Sequence, residues 1–192
     1  MKKLFLALLI VTVSGSAQKM KVKSGNMKAL SGISEFNLLF AYEGLTVDKF
    51  KSEEEFLSDK MKKREEKGTA EDFRASWFAD REKRYEPKFI ESFNKRFDGK
   101  VKADKNLASA KYTMKVQTIW LHPGYNIGIS RSDSKLTANV TVFETANPAN
   151  VLVSVDYEKT PGSGAFGMDY DSGYRISECY AKLAKELASD IK

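Results

Sequence analysis

The 192-residue sequence predicts an α+β domain: a two-layer α/β sandwich with helices packed on one face of a mixed sheet of about four strands. Three observations predict it. Four segments alternate apolar and polar residues with the period of two that marks a strand with one buried face. Other segments repeat apolar residues every three to four positions, the stripe of a helix with one buried side. A sheet that is apolar on one side needs a cover there, and these helices are the cover the chain supplies.

The chain opens with Met1-Lys2-Lys3, the apolar run "LFLALLIVTV" and the small residues Ser14, Gly15, Ser16 and Ala17. This pattern reads as a signal peptide, 1–17, cleaved after Ala17, and it predicts a periplasmic or secreted protein with a single domain over 18–192. The apolar run is about half of the roughly 20 residues a bilayer-crossing helix needs, so no transmembrane segment is expected. Lys19, Lys21, Lys23 and Lys28 then read as a solvated, loosely ordered arm.

"EFNLLFAY" places Phe36, Leu38, Phe40 and Tyr42 on alternate positions, the first strand. "KSEEEFLSDKMKKREEKG" reads as a charged helix in which Ser52 and Glu55 have capping-box spacing and Asp59 and Lys63 pair one turn apart. Its few apolar residues, Phe56, Leu57 and Met61, place it on the outside, with Glu53 and Glu54 in solvent. Thr69 and Asp72 open a second helix with Phe73 and Trp77 on one stripe. Pro87 has no N–H to donate, so it kinks or restarts that helix. Beyond it Phe89, Ile90, Phe93 and Phe97 form a core face.

"KYTMKVQTIWL" turns Tyr112, Met114, Val116 and Trp120 inward. "SKLTANVTVF" does the same for Leu136, Ala138, Val140 and Val142, and "NVLVSVDY" for Val151, Val153, Val155 and Tyr157. A turn around Asn147-Pro148 joins the last two as an antiparallel hairpin. The final helix presents Ile176, Tyr180, Leu183, Leu187 and Ile191 as its buried stripe.

Composition narrows the chemistry. With 32 bases against 26 acids the net charge is +6, but no basic face interleaved with aromatics emerges, so nucleic acid is not an expected partner. One cysteine, Cys179, cannot make an intrachain disulfide, and its helical setting reads as a buried, inert thiol. The single histidine, His122, removes multi-histidine metal sites and makes any Ser-His-Asp triad depend on that one residue.

The stretch "PGSGAFGMDYDSGYR", 161–175, spaces Gly162, Gly164 and Gly167 as G-x-G-x-x-G. A dinucleotide loop needs the helix to start at the glycines and a later strand to grip the ribose. Here the helix starts late and the chain ends with it, so no cofactor is expected. Asp169 and Asp171 miss the EF-hand spacing, which leaves an irregular cation loop against a plainer reading in which Asp171 or Ser172 caps the last helix. Ser163, though set among glycines, lacks the spacing of a nucleophile elbow.

Two unusual loops remain, 120–131 and 162–175. Their candidate binding residues are Trp120, His122, Tyr125 and Arg131 in the first, and Phe166, Asp169, Tyr170, Asp171 and Arg175 in the second. With no complete catalytic set in view, the predicted function is a non-enzymatic binding or accessory module that recognises a protein or cell-envelope component. The alternatives are a hydrolase using carboxylates from the same loops and a carrier of an apolar ligand held between sheet and helices.

The segments "SAKYTMKVQTIWLHPGYNIGI", "VFETANP" and "GYRISECYAKLAKELASDI", with "EEEFLSDK" and "YEPKFIESFN", resemble an uncharacterised family of exported Bacteroidetes-type proteins. The resemblance spans nearly all of the mature chain and brings no activity with it. The order strand, helices, three strands, helix also resembles, in architecture alone, periplasmic accessory modules of outer-membrane lipoprotein activators and curli-secretion components. The chain departs from those lipoproteins in having no cysteine at the expected cleavage point.

Overall fold

A mixed sheet of seven strands carries the molecule, in a computed structural model that describes residues 19–107, 109–127, 129–162 and 171–192. The predicted signal peptide 1–17 and the glycine-loop residues Ser163, Gly164, Phe166, Gly167, Asp169 and Tyr170 lie outside the described residues. Along the chain run β1 (Lys19–Gly25), β2 (Glu35–Ala41), β3 (Thr46–Val47), α1 (Glu53–Lys62), α2 (Ala70–Asp80) and α3 (Glu86–Lys95). Then follow β4 (Lys102–Asp104), β5 (Tyr112–His122), β6 (Tyr125–Asn126), β7 (Arg131–Ser132), β8 (Lys135–Glu144), β9 (Asn147–Pro161) and α4 (Ser172–Ile191). The sheet order is β1-β9-β8-β5-β2-β4, with β3 alongside the end of β5; β6 and β7 make a separate two-stranded hairpin. Strands β2 and β5 run parallel, while β5, β8, β9 and β1 are antiparallel neighbours.

The four expected strands are β2, β5, β8 and β9. The expectation of about four strands is corrected to seven, because β3 and β4 span only two and three residues, too short for an alternation to register. β1 overturns the loose arm: Lys19–Gly25 pairs along β9, with Val22 opposite Val155. All seven of its residues are exposed, so a polar composition hid a strand whose hold on the sheet is its backbone ladder. The β8–β9 hairpin forms as expected, its turn at Thr145–Ala146, just before Asn147.

One face of the sheet is apolar and closed. Val116, Val140, Val142, Val153 and Val155 are at most 1% exposed and join one cluster with Phe89 and Phe93 of α3 and Leu183 and Leu187 of α4. Phe40 meets Phe89 and Phe36 meets Phe93 edge to face, at centroid distances of 5.5 and 6.2 Å. Each such side chain withdrawn from water contributes about 1.5–3 kcal/mol. The other face is polar: Asn139 Nδ2 donates to Asp156 at 2.8 Å, and the Thr141 and Ser154 hydroxyls lie 3.0 Å apart.

Two inward assignments fail for a local reason. A bulge in β5 between Thr118 and Trp120 inserts one residue, so Thr118 and Leu121 are buried while Trp120 is only partly so. Register shifts opposite Phe143 leave Val151 41% exposed.

The helices match and depart in similar detail. Ser52 caps α1 by accepting from the Glu55 amide, and Glu55 returns the favour to the Lys51 amide at 2.9 Å. Yet α1 is not simply an outer helix, since Phe56 and Leu57 are buried. Glu53, expected in solvent, accepts from Trp77 Nε1 at 2.6 Å and from Arg81 Nη2 at 2.5 Å, stitching α1 to α2. The helical run restarts at Pro87 as expected: the proline sits in the first turn of α3, and the preceding Arg81–Tyr85 widens into one π turn. Widening is what a helix does when the proline at its continuation cannot supply the next N–H.

Candidate functional site

Where β5 ends, its bulge decides which side chains meet. Leu121 turns into the core, so Trp120 and His122, on either side of it, share the opposite face, and their rings stack at 6.2 Å with planes 10° apart. The short strand β3 lies parallel to this end of β5, pairing Thr46 with Trp120 and Val47 with Leu121. Asp48 comes next, held by its amide donating to the Leu121 carbonyl at 2.7 Å and by Trp120 Nε1 donating to its own carbonyl at 3.0 Å. Its backbone stands at φ 56°, the left-handed region. From there Asp48 Oδ1 lies 3.2 Å from His122 Nδ1, and His122 Nε2 lies 3.1 Å from Ser132 Oγ on β7.

The turn between β5 and β6 is clamped from behind. Arg175, 6% exposed on the first turn of α4, donates from Nε to the Pro123 carbonyl at 3.3 Å and from Nη2 to the Gly124 carbonyl at 3.4 Å. Gly124 is required there, with φ at 68° and the space a Cβ would fill only 2.5 Å from the Ser132 carbonyl. Asp171 caps α4 by accepting from the Tyr174 amide at 3.2 Å and also pairs with Arg84. Burial alone would raise its carboxyl; the Arg84 guanidinium and the helix amides outweigh this and hold it below the ordinary range.

These elements enclose a cleft of about 300 Å³ between the 122–126 turn, the end of α1, α2 and the start of α4. Its aromatic lining is Phe56, Phe73, Trp77 and Tyr125, and its cations are Lys60, Arg64 and Arg175, against the single described acid Asp48. The Arg64 guanidinium carbon lies over Phe73, 4.2 Å from the ring centre, and Lys60 reaches over Phe56 at 5.4 Å. A second cleft of about 550 Å³ adjoins it across Arg64, Phe73, Trp77 and Ser172 and continues to Asp80, Lys83, Arg84 and Asp171. Burial, reinforced by the charge of Asp171, pushes the Asp80 carboxyl up against the opposing pull of Arg84.

Of the residues singled out in the sequence, His122, Tyr125 and Arg175 line the smaller cleft, and Trp120 stands behind His122. Tyr125 is 44% exposed, its hydroxyl 3.4 Å from Ser130 Oγ. Arg131 is exposed opposite Asn126 in the β6–β7 hairpin, and Asp171 belongs to the adjoining cleft. Phe166, Asp169 and Tyr170 lie outside the described residues. Among the described residues no group of three His, Cys, Asp or Glu side chains could hold a metal ion. Lys60, Arg64, Trp77, Asp48 and Ser132 were not singled out as site residues. The first three looked like ordinary helix residues, and nothing local to Asp48 or Ser132 marks them.

Cys179 is fully buried at the base of this region, with its thiol pushed up to about 12 chiefly by burial, despite the Ser134 hydroxyl 3.1 Å away. Among the described residues no helix is long and apolar enough to cross a membrane.

Neither a family model nor a curated protein matches the chain. Among solved structures it is similar to a PelC dodecamer from Paraburkholderia phytofirmans, at 12% identity over 89% of this chain and 97% of that one, with a TM-score of 0.38. A single-substitution variant of that PelC dodecamer, from the same organism, is similar at 13% identity over 87% and 98%, with a TM-score of 0.36.

Proposed function

We propose that this chain is an exported binding or accessory module that recognises an anionic group on a protein or cell-envelope component at the cleft between the 122–126 turn and helices α1, α2 and α4. The observation that carries this reading is the lining: Lys60 and Arg64 beside Phe73, Trp77 and Tyr125, with one described acid to oppose them. Aromatic walls lower the local dielectric, so the attraction of these cations for an anion is stronger here than on an open surface. Arg175 is the clamp that holds the wall, and Trp120 and His122 give that wall its shape. The domain itself is taken as a two-layer sandwich, its apolar sheet face under α3 and α4 and its polar face in solvent.

The carboxylate hydrolase calls for at least two acids near His122 or Asp169: the described lining of the cleft at His122 supplies Asp48 alone, and Asp80 and Asp171 of the adjoining cleft both pair with Arg84. An apolar carrier needs a cavity between the layers, and the side chains there are packed in one cluster at near-zero exposure.

The test is capture from envelope extract by the full mature chain and by the double variant Lys60→Glu, Arg64→Glu. Retained material should fall about tenfold or more in the variant, and wild-type capture should weaken as salt rises through the range where the Debye length drops below about 10 Å. Equal capture by both proteins refutes the cleft as the recognition surface.

A further inference from the structure

Three side chains from separate segments form one hydrogen-bonded row beside the cleft. Asp48 Oδ1 is 3.2 Å from His122 Nδ1, and His122 Nε2 is 3.1 Å from Ser132 Oγ. A carboxylate only accepts, so the Nδ1 proton faces Asp48 and the Nε2 lone pair faces the serine hydroxyl. Among the described residues the serine hydroxyl is also placed to donate to the Asp133 carbonyl, at the longer distance of 3.5 Å. This is the order of orienting acid, general base and nucleophile that activates a serine for acyl transfer.

The row is held from outside as well as within. Trp120 stacks on the imidazole and fixes its plane, while its Nε1 also pins the Asp48 carbonyl. Asp48 keeps a left-handed backbone, which an aspartate tolerates better than most residues, and it is the residue whose carboxyl aims the ring. Ser132 is positioned by pairing with Tyr125 across the small hairpin, and the glycine at 124 lets that hairpin close.

We infer that Ser132 is a nucleophile, with His122 its general base and Asp48 a positioning residue, and that the substrate class is a carboxylic ester. Ser132 Oγ bonds to the ester carbonyl carbon as its proton passes to His122 Nε2. The carbon–oxygen bond to the alcohol then breaks and the alcohol departs with that proton. Water, deprotonated by the same nitrogen, adds to the acyl-serine, releasing the carboxylic acid and restoring the serine. The row does not depend on what the cleft binds, so the two readings fail separately.

The experiment is reaction of the full mature chain with a fluorophosphonate, which phosphonylates activated serines, read by intact mass and peptide mapping. A single adduct on Ser132 is expected. It should be absent in Ser132→Ala, slowed roughly 10²–10⁴-fold in His122→Gln, as loss of a general base implies, and slowed at least about tenfold in Asp48→Asn. Ser132→Cys guards against a folding artefact: iodoacetamide should alkylate it about tenfold faster than when His122→Gln is added, and Cys179, being buried, does not compete. The proposal is overturned by a wild-type chain left unlabelled, by labelling that survives Ser132→Ala, or by rates indifferent to His122 in both assays.

Discussion

Gly162 shows how a motif can carry a physical message other than the one its spacing suggests. It is the first glycine of the G-x-G-x-x-G stretch, and its amide donates to the Ser134 carbonyl at 2.9 Å where the end of β9 crosses the first turn of α4. A Cβ there would stand 2.4 Å from the Arg175 carbonyl oxygen and 2.4 Å from Ser134 Oγ, so this glycine serves close backbone approach inside the protein. Gly162→Ala should therefore destabilise the fold by about 1–3 kcal/mol, the usual cost of overpacking, measured by urea unfolding. An unchanged midpoint would show that the crossing tolerates a methyl group. At this scale Asp171 was legible as a cap, because capping is a property of neighbours in sequence. The Asp48–His122 contact was not, since those residues lie 74 positions apart and only the pairing of β3 with β5 joins them.

Among the elements, α1 illustrates what pattern reading sees and misses. Its cap at Ser52 and its Asp59–Lys63 pair were both readable from spacing, and both form. The role of Glu53 was not, because its partners Trp77 and Arg81 come from another helix. Arg81 is itself sandwiched between Tyr42 and Phe78, 4.2 and 4.8 Å from the ring centres, so it cannot follow a lost partner into water. Glu53→Ala should cost about 1–3 kcal/mol, the penalty for stranding a half-buried guanidinium and an indole N–H. A double-mutant cycle with Arg81→Ala should show coupling, and strictly additive losses would contradict it. Strands followed the same rule. Long alternating runs such as β8 were legible, two- and three-residue strands were too short to read, and the bulge in β5 reversed an alternation that no residue type announces.

Taken as a whole, the molecule buries several acidic groups in their neutral form. Burial raises Tyr42, Tyr85, Tyr157 and Tyr180 above the ordinary tyrosine range, and lifts Cys179 from 9.0 to about 12. An acid whose folded pKa is raised contributes stability that is complete below its unfolded pKa and is lost as pH climbs through the folded value. The urea midpoint should thus hold to about pH 9 and then fall, each group removing about 1.4 kcal/mol per pH unit until it ionises in the folded state too. A midpoint still level at pH 11 would contradict the burial of these groups. The broad layout, helices over one apolar sheet face, was legible because burial imprints periodicity. The cleft was not, since it exists only where segments far apart in the sequence converge. One feature of the layout also governs how the protein comes into being. Lys19 on β1 pairs with Glu158 on β9, so β1 has no ladder to join until a segment far downstream has been made, a wait on the order of ten seconds. Through that interval its lysines at every second position, 19, 21 and 23, repel stray strands, and the charge that reads in sequence as a loosely ordered arm is what lets an unpaired edge wait safely for its partner.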